Sequence, residues 1–179
     1  MEQGVPKRKI CIVPAWYDDH AIMRIPPEEN RFLKKYDLHL TDFIVQFAGT
    51  IGYVFNYKIV LDTAELMKDD EGIRFQMIGD GAFKEAFVKE AKERGLDNID
   101  FYPLQPVEIV PDVYSVCDIA LIPLRKGVIG NGVPSKAPLL MACHKVIVNS
   151  VEDDSHYYRL FNDNEMGISV PLGDAQGLA

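Results

Sequence analysis

Short apolar runs alternate with amphipathic stretches along most of this 179-residue chain. The runs are rich in branched and aromatic residues and end at glycine, proline or acidic residues, a pattern typical of buried strands. We predict seven strands, at Lys9–Val13, Phe43–Ala48, Ile73–Ile78, Asn98–Tyr102, Asp118–Leu124, Lys145–Val148 and Gly167–Val170.

Most of the stretches between these runs place apolar residues at helical spacing, which predicts helices there. Repeated strand-then-helix units predict an α/β fold built on a Rossmann-like, doubly wound parallel sheet. Gly173 and Asp174 are predicted to cap a last helix. The other predicted helices follow Asn56, cover Phe83 to Gly95, and lie at Glu108–Val116, Ser135–Cys143 and Asp154–Phe161.

One segment shows neither the spacing of apolar residues typical of a helix nor that typical of a strand. Residues 14–38 are polar over most of their length and broken by prolines, so we predict a long loop with His20 and Arg24 at its surface. Loops of this length are uncommon inside compact domains, and they often are functional or mark a join to another domain.

Glycine-containing turns follow three of the predicted strands. In a parallel sheet the carboxyl ends of the strands share one edge, and ligands bind beyond that edge. Gln105 and Arg125 fall at the same edge. The turns contain Gly49, Thr50 and Gly52, then Gly79 and Gly81, and then Gly127, Gly130 and Gly132.

The last of these turns leads into a predicted helix. Glycine allows the backbone to approach a ligand closely, and a helix start adds roughly half a positive charge, which favours a phosphate or diphosphate. Lys136 would add a full positive charge. Taken alone, one glycine loop beside a solvated Lys136 explains the pattern equally well. Several such turns at one edge favour a ligand site.

Composition narrows the function further. Forty-seven percent of the residues are hydrophobic, so the chain can bury the core of one domain. The net charge of -8, with 27 acidic and 19 basic residues, argues against a nucleic-acid surface. The cysteines Cys11, Cys117 and Cys143 lack metal-type spacing and are typical of core residues in a reducing compartment.

Targeting and cofactor signals are weak in this sequence. No apolar run approaches the ~20 residues of a membrane span, and residues 1–9 lack the apolar centre of a signal peptide, so we expect a cytoplasmic protein. A peripheral role at the inner face of the membrane, through an absent segment, stays open.

The sequence has no dinucleotide fingerprint after its first strand, no P-loop and no nucleophile elbow. Hydride transfer, P-loop chemistry and hydrolysis are therefore not favoured.

A series of motifs runs through the chain in a fixed order. They are GVPKRKICIVPAWYD, FAGTIG, IRFQMIGDGAFKEAF, NIDFYPLQP, VYSVCDIALIPL, MACHKVIVNS and MGISVPLGDAQGLA. In this order they resemble the C-terminal, donor-binding domain of glycosyltransferase family 4 (group 1), the large retaining group with the GT-B fold. The likeness spans nearly the whole chain, and residues 132–136 resemble the subset that builds cell-surface polysaccharides.

The resemblance implies a single nucleotide-sugar-binding domain over residues 1–179, with an N-terminal acceptor domain absent. Such enzymes transfer the sugar of a UDP- or GDP-sugar with retention to a glycan or lipid-linked acceptor, and need no metal and no further cofactor. The isolated domain is expected to be inactive. By position, the donor would lie against Gly49, Thr50, Gly52, Gly79, Gly81, Leu104, Gln105, Gly132, Val133, Ser135 and Leu139.

The resemblance also assigns roles within this set. Leu104 and Gln105 would lie against the base, and the backbone from Asn131 to Ser135 would meet the sugar and the diphosphate. Donor groups and a cation there would stabilise negative charge on the departing diphosphate. The candidate catalytic residues are Lys136, Arg125 and Asn131.

Two departures from the family pattern leave an alternative open. The family usually has two glutamates separated by seven residues, but this chain has Asn131 and Leu139 at those positions. Leucine cannot accept hydrogen bonds from ribose hydroxyls, a loss of about 1 to 3 kcal/mol. Thr50 also stands where an arginine is common. A degenerate domain that acts as a scaffold or regulatory partner therefore stays open. An epimerase of the same fold rests on analogy alone.

Overall fold

The computed structural model describes residues 6–11, 23–129 and 134–179. Within these ranges, six strands form one sheet in the order β3-β2-β1-β4-β5-β6, and every neighbouring pair is parallel. The predicted doubly wound α/β fold is confirmed. The strands are β1 (Phe43–Ala48), β2 (Ile73–Ile78), β3 (Ile99–Tyr102), β4 (Ile119–Pro123), β5 (Val146–Val151) and β6 (Ile168–Pro171).

Helices connect the strands and cover both faces of the sheet. None of those in the described ranges is long and apolar enough to cross a membrane. They are α1 (Arg31–Tyr36), α2 (Tyr57–Leu66), α3 (Lys84–Glu93), α4 (Val110–Val116), α5 (Lys136–Ala142), α6 (His156–Asp163) and α7 (Ala175–Leu178), with short 3₁₀ helices at Lys7–Lys9 and Val107–Ile109.

The prediction of a strand at Lys9–Val13 is wrong for its described part. Lys9 closes a 3₁₀ turn by donating its N–H to the carbonyl of Pro6 (2.9 Å), and residues 10 and 11 belong to no strand. Residues 12 and 13 lie outside the described ranges. A short apolar run forms a strand only where a neighbouring strand can pair with it, and the sequence pattern cannot show that.

The predicted loop over residues 14–38 contains helix α1. Asn30 caps this helix by accepting a hydrogen bond from the N–H of Leu33 (3.0 Å), and Phe32 and Leu33 are buried. Arg31 binds the carboxylate of Asp112 on α4 through its guanidinium and its backbone N–H, both at 2.6 Å. Six residues are too few for a helical period to show in the sequence. The helix therefore depends on its cap and on α4.

Each face of the sheet has its own hydrophobic core. Alternate residues of β1 show this directly, because Ile44 packs with α1, α4, α5 and α6, whereas Val45 and Phe47 pack with α2 and α3. Complete burial of such a side chain contributes about 1.5 to 3 kcal/mol relative to exposure. Strands buried on both faces are typical of parallel sheets, which explains their continuous apolar sequence.

The order of the strands reverses between β1 and β4. From β1 the chain adds β2 and β3 on one side, and it then crosses back through α4 to add β4, β5 and β6 on the other. A doubly wound sheet opens a crevice at such a reversal, beyond the carboxyl ends of the two strands. The fold therefore places a ligand site between the turns that follow β1 and β4.

The turns after β1 and β2 lie in direct backbone contact. Gly49 donates its N–H to the carbonyl of Ile78 (2.9 Å). Gly79 has φ +152°, and a Cβ atom there would lie 1.8 Å from the carbonyl oxygen of Gly49. The position therefore excludes any side chain.

We expect Gly79→Ala to destabilise the fold far more than Gly72→Ala. Gly72 also has positive φ (+93°), but a Cβ there would meet no atom within 4 Å. Gly72→Ala should therefore cost about 1 to 2 kcal/mol from backbone strain alone. Gly79→Ala should cost at least about 2 kcal/mol more, because the turn after β1 must move. Urea denaturation measures both, and equal losses would contradict the close contact.

Candidate functional site

A cleft of about 680 Å³ opens where the strand order reverses. Its walls come from the turn after β1, the turn after β4 and the first turns of α5. The residues that matter for its chemistry are Thr50, Lys126, Val128, Ser135, Lys136 and Leu139. The sequence-predicted turn residues Gly49 and Thr50 therefore meet Ser135, Lys136 and Leu139 in one cleft, although these two groups are far apart in the sequence.

Lys136 is the dominant charged group inside this cleft. Its ammonium donates a hydrogen bond to the carbonyl of Ala48 (2.9 Å) and lies 4.0 Å from the centroid of the Phe47 ring. Among the described residues, no carboxylate pairs with it. Burial lowers the pKa of Lys136 to about 8. The site therefore holds a cation whose charge is poorly compensated until an anion binds.

Gly49 makes room for this cation. A Cβ atom at Gly49 would lie 2.7 Å from the Lys136 ammonium, and its φ of +150° is one that residues with side chains rarely adopt. The glycine after β1 is therefore required for the ammonium to reach the end of that strand, in addition to any close approach of a ligand.

A second, smaller cavity of about 80 Å³ adjoins the cleft. Leu104 and Gln105, which follow β3, form part of its wall, and Ala48, Gly49 and Tyr114 line both spaces. Leu104 is 63% exposed at this position. The two cavities are therefore neighbours, and Tyr114 lines both of them.

The side chain of Gln105 is held in one orientation by three partners. Its amide nitrogen donates to the hydroxyl of Tyr36 (2.9 Å) and the carbonyl of Pro103 (2.6 Å), and its amide oxygen accepts from Lys35 (3.0 Å). Gln105 thus fixes the shape of the small cavity, while its polar atoms are already engaged.

Tyr114 is a site residue that the sequence analysis missed. Its side chain is buried, and its hydroxyl makes no hydrogen bond within the part of the chain that the structure describes. Burial raises the pKa of Tyr114 to about 12, so the hydroxyl is neutral and can donate. Its apolar neighbours in the sequence gave no signal other than core packing.

The turn after β2 supports the cleft from behind. Lys84 donates to the carbonyls of Gly79 (2.6 Å) and Tyr102 (2.8 Å), which joins the ends of β2 and β3. Burial lowers the pKa of this lysine. A Cβ atom at Gly81 would lie 2.5 Å from the carbonyl oxygen of Ile51. Gly79 and Gly81 therefore lie behind the cleft wall and do not line the cleft.

The structure does not gather every predicted site residue. Gly52 follows the turn after β1 without lining the cleft. Arg125 stacks over the Phe83 ring (5.5 Å to the centroid) outside the cleft lining, whereas the neighbouring Lys126 lines it. Asn131, Gly132 and Val133 lie outside the described residues. The roles assigned to these residues stay predictions.

The loop after β4 is tied to the start of α6. Glu152 accepts a hydrogen bond from the backbone N–H of Gly127 with one carboxylate oxygen, and its other oxygen is buried without a hydrogen-bond partner in the described ranges. A glutamate in this polar segment would be expected to be solvated, but the fold uses it to hold the cleft wall.

Comparison with known proteins places this chain in a family. The family model for glycosyl transferases group 1 matches residues 42–179. Two relatives carry glycosyltransferase names: WbjE of Pseudomonas aeruginosa is 27% identical over 96% of this chain and 42% of its own length. WcaI of Escherichia coli, named for colanic acid biosynthesis, is 27% identical over 79% of this chain and 35% of its own length. The chain thus spans less than half the length of these curated relatives.

Solved structures share the fold. The C-terminal domain of the group 1 glycosyl transferase LpcC from Francisella tularensis has a TM-score of 0.69 and 17% identity, covering 92% of this chain and 84% of that one. HepE from Anabaena, in a crystal structure with UDP-glucose, has a TM-score of 0.62 and 16% identity, covering 91% of this chain and 44% of that one. The chain therefore belongs to the group 1 glycosyltransferase family and has the fold of the C-terminal domains of its GT-B enzymes.

Proposed function

We propose that this chain is the donor-binding domain of a glycosyltransferase and holds a UDP- or GDP-sugar in the cleft between β1 and β4. The observation that carries the proposal is Lys136, a half-buried cation without an acidic partner in the described ranges, at the strand-order reversal. A nucleotide-sugar supplies a diphosphate that would compensate this charge. The UDP-glucose bound to HepE, which shares the fold, supports the choice of ligand.

The residues of this chain would act mainly by electrostatics. When the bond between the anomeric carbon and the diphosphate breaks, negative charge grows on the departing oxygen, and the Lys136 ammonium stabilises it. The acceptor hydroxyl forms the new glycosidic bond, its proton passes to the departing diphosphate oxygen, and the nucleoside diphosphate is released. Retention and catalysis without a metal or further cofactor belong to this proposal.

The acceptor would be held by a second, N-terminal domain and would be a glycan or a lipid-linked sugar. A cell-surface polysaccharide is the product that we propose, because WcaI carries the name of such a pathway. That chemistry would take place in the cytoplasm, with peripheral contact at the inner face of the membrane through another part of the protein. On this view the 179-residue chain binds the donor and transfers nothing by itself.

A scaffold function is the second candidate, and Leu139 is the observation that favours it. Leucine lines the cleft where the family usually places a glutamate. An epimerase is not proposed, because no carboxylate lines the described part of the cleft and acid–base work on a sugar ring needs one.

We expect a nucleotide to raise the melting temperature of this chain selectively. Ligand at about ten times its dissociation constant adds roughly 1.4 kcal/mol, which is about 3 to 6 °C for a domain of this size. UDP, GDP and their sugars are compared with NAD as a control for non-specific binding. If neither the chain nor a longer protein that contains it responds to any nucleotide, the scaffold function replaces the donor-binding one.

We expect Lys136→Met to weaken nucleotide binding by roughly tenfold to a hundredfold, because a charge-assisted contact to the diphosphate is lost. Lys126→Met is the matched control, since Lys126 lines the same cleft but is exposed. Removal of its screened charge should change affinity by less than about threefold. Isothermal titration calorimetry measures both, and equal effects would place the diphosphate elsewhere.

The affinity should also fall above pH 8. The free-state pKa of Lys136 is about 8, and a bound diphosphate raises it, so binding requires proton uptake once the pH exceeds the free-state value. Below pH 8 the lysine is already charged, and its contribution is constant. Lys136→Arg keeps the charge throughout and should abolish this decline. A decline that is unchanged in Lys136→Arg would assign the titration to another group.

A further inference from the structure

The two cavities of the proposed donor site fix where the pentose of a nucleotide must lie. With its base in the small cavity beside Leu104 and its diphosphate at Lys136, the nucleotide spans the wall that the cavities share. Tyr114 belongs to that shared wall. Leu139 follows Lys136 by three positions on α5, so the two side chains lie on the same face of the helix, and both line the cleft. A pentose between a base and a diphosphate placed in this way would lie against Tyr114 and Leu139.

This wall offers very little to a sugar ring. Within the described ranges the Tyr114 hydroxyl makes no hydrogen bond, so it can bind one pentose oxygen. The side chain of Leu139 offers no polar group. The described lining of both cavities contains no carboxylate, the group that would accept hydrogen bonds from a pair of ribose hydroxyls.

From this arrangement we infer that the site does not recognise the ribose 2′-hydroxyl. It should bind 2′-deoxynucleoside diphosphates at least as tightly as ribonucleoside diphosphates. A second ribose hydroxyl placed against Leu139 would lose water without gaining a partner from that side chain, which is unfavourable. The inference rests on the proposed donor function and narrows its substrate class to donors whose pentose need not carry a 2′-hydroxyl. Leu139 is the residue that determines this specificity.

The direct test compares UDP with 2′-deoxy-UDP, which differ in one hydroxyl and share base and diphosphate. Isothermal titration calorimetry on this chain should give dissociation constants within about threefold, or a tighter one for 2′-deoxy-UDP. A preference for UDP of more than threefold overturns this inference and leaves the proposed function intact. Binding of neither nucleotide, to this chain or to a longer protein that contains it, overturns both.

Leu139→Glu should create the missing selectivity. A carboxylate at this position can accept hydrogen bonds from ribose hydroxyls, so UDP should become at least about tenfold tighter than 2′-deoxy-UDP. The measured quantity is the ratio of the two constants within one variant, so a general loss of folded protein cancels. Leu139→Gln provides a neutral acceptor if the charged variant does not fold, and Leu139→Met is the apolar control that should keep the ratio unchanged.

Tyr114→Phe separates the two contacts. This substitution should weaken the binding of UDP and of 2′-deoxy-UDP by the same factor, about tenfold, because the pentose oxygen that Tyr114 binds is common to both. A change in the ratio would mean that Tyr114 reads the 2′-hydroxyl, which overturns the inference. An unchanged ratio in both Leu139→Glu and Leu139→Gln would place the pentose away from α5 and would overturn it as well.

Discussion

The close approach of the turns after β1 and β2 is the constraint on which the cleft depends. The absence of a side chain at Gly79 lets the carbonyl of Gly49 pack against it, and the absence of one at Gly49 admits the Lys136 ammonium beneath the end of β1. Two missing Cβ atoms therefore set both the shape of the wall and the position of its charge. Any side chain here would push apart elements that the parallel sheet holds in register.

The electrostatic character of the cleft follows from what surrounds that ammonium. Lys136 has a carbonyl and an aromatic ring as its neighbours and no acidic partner within the described ranges. Burial therefore lowers its pKa, and its charge favours the binding of an anion. Apart from the exposed Lys126, the remaining described wall is apolar or carries single hydroxyls. Such a surface suits a ligand with a concentrated charge at one end and few hydroxyls to satisfy at the other, which connects the proposed donor function to the proposed specificity.

Much of the fold could be predicted because strands buried on both faces have an unmistakable apolar sequence. The strand predicted at Phe43–Ala48 matches β1 at both ends, and the one at Ile73–Ile78 matches β2. The failures involve short elements. Helix α1 needs its Asn30 cap and the Asp112 carboxylate, and the described part of the predicted strand at Lys9–Val13 forms a 3₁₀ turn and no strand. Local pattern carries no information about such distant partners.

The sequence by itself determined the order of strands β1 to β6 and of the helices between them, the edge of the sheet at which the cleft opens and the family resemblance, because these follow from periodicity and from residues adjacent in the chain. Only the tertiary structure decided which side chains share the cleft. Lys136 reaches Ala48 across 88 positions, Arg125 stacks on the Phe83 ring, and Tyr114 lines two cavities. These contacts depend on how the crossover helices pack, and packing brings together residues whose relation no local pattern records.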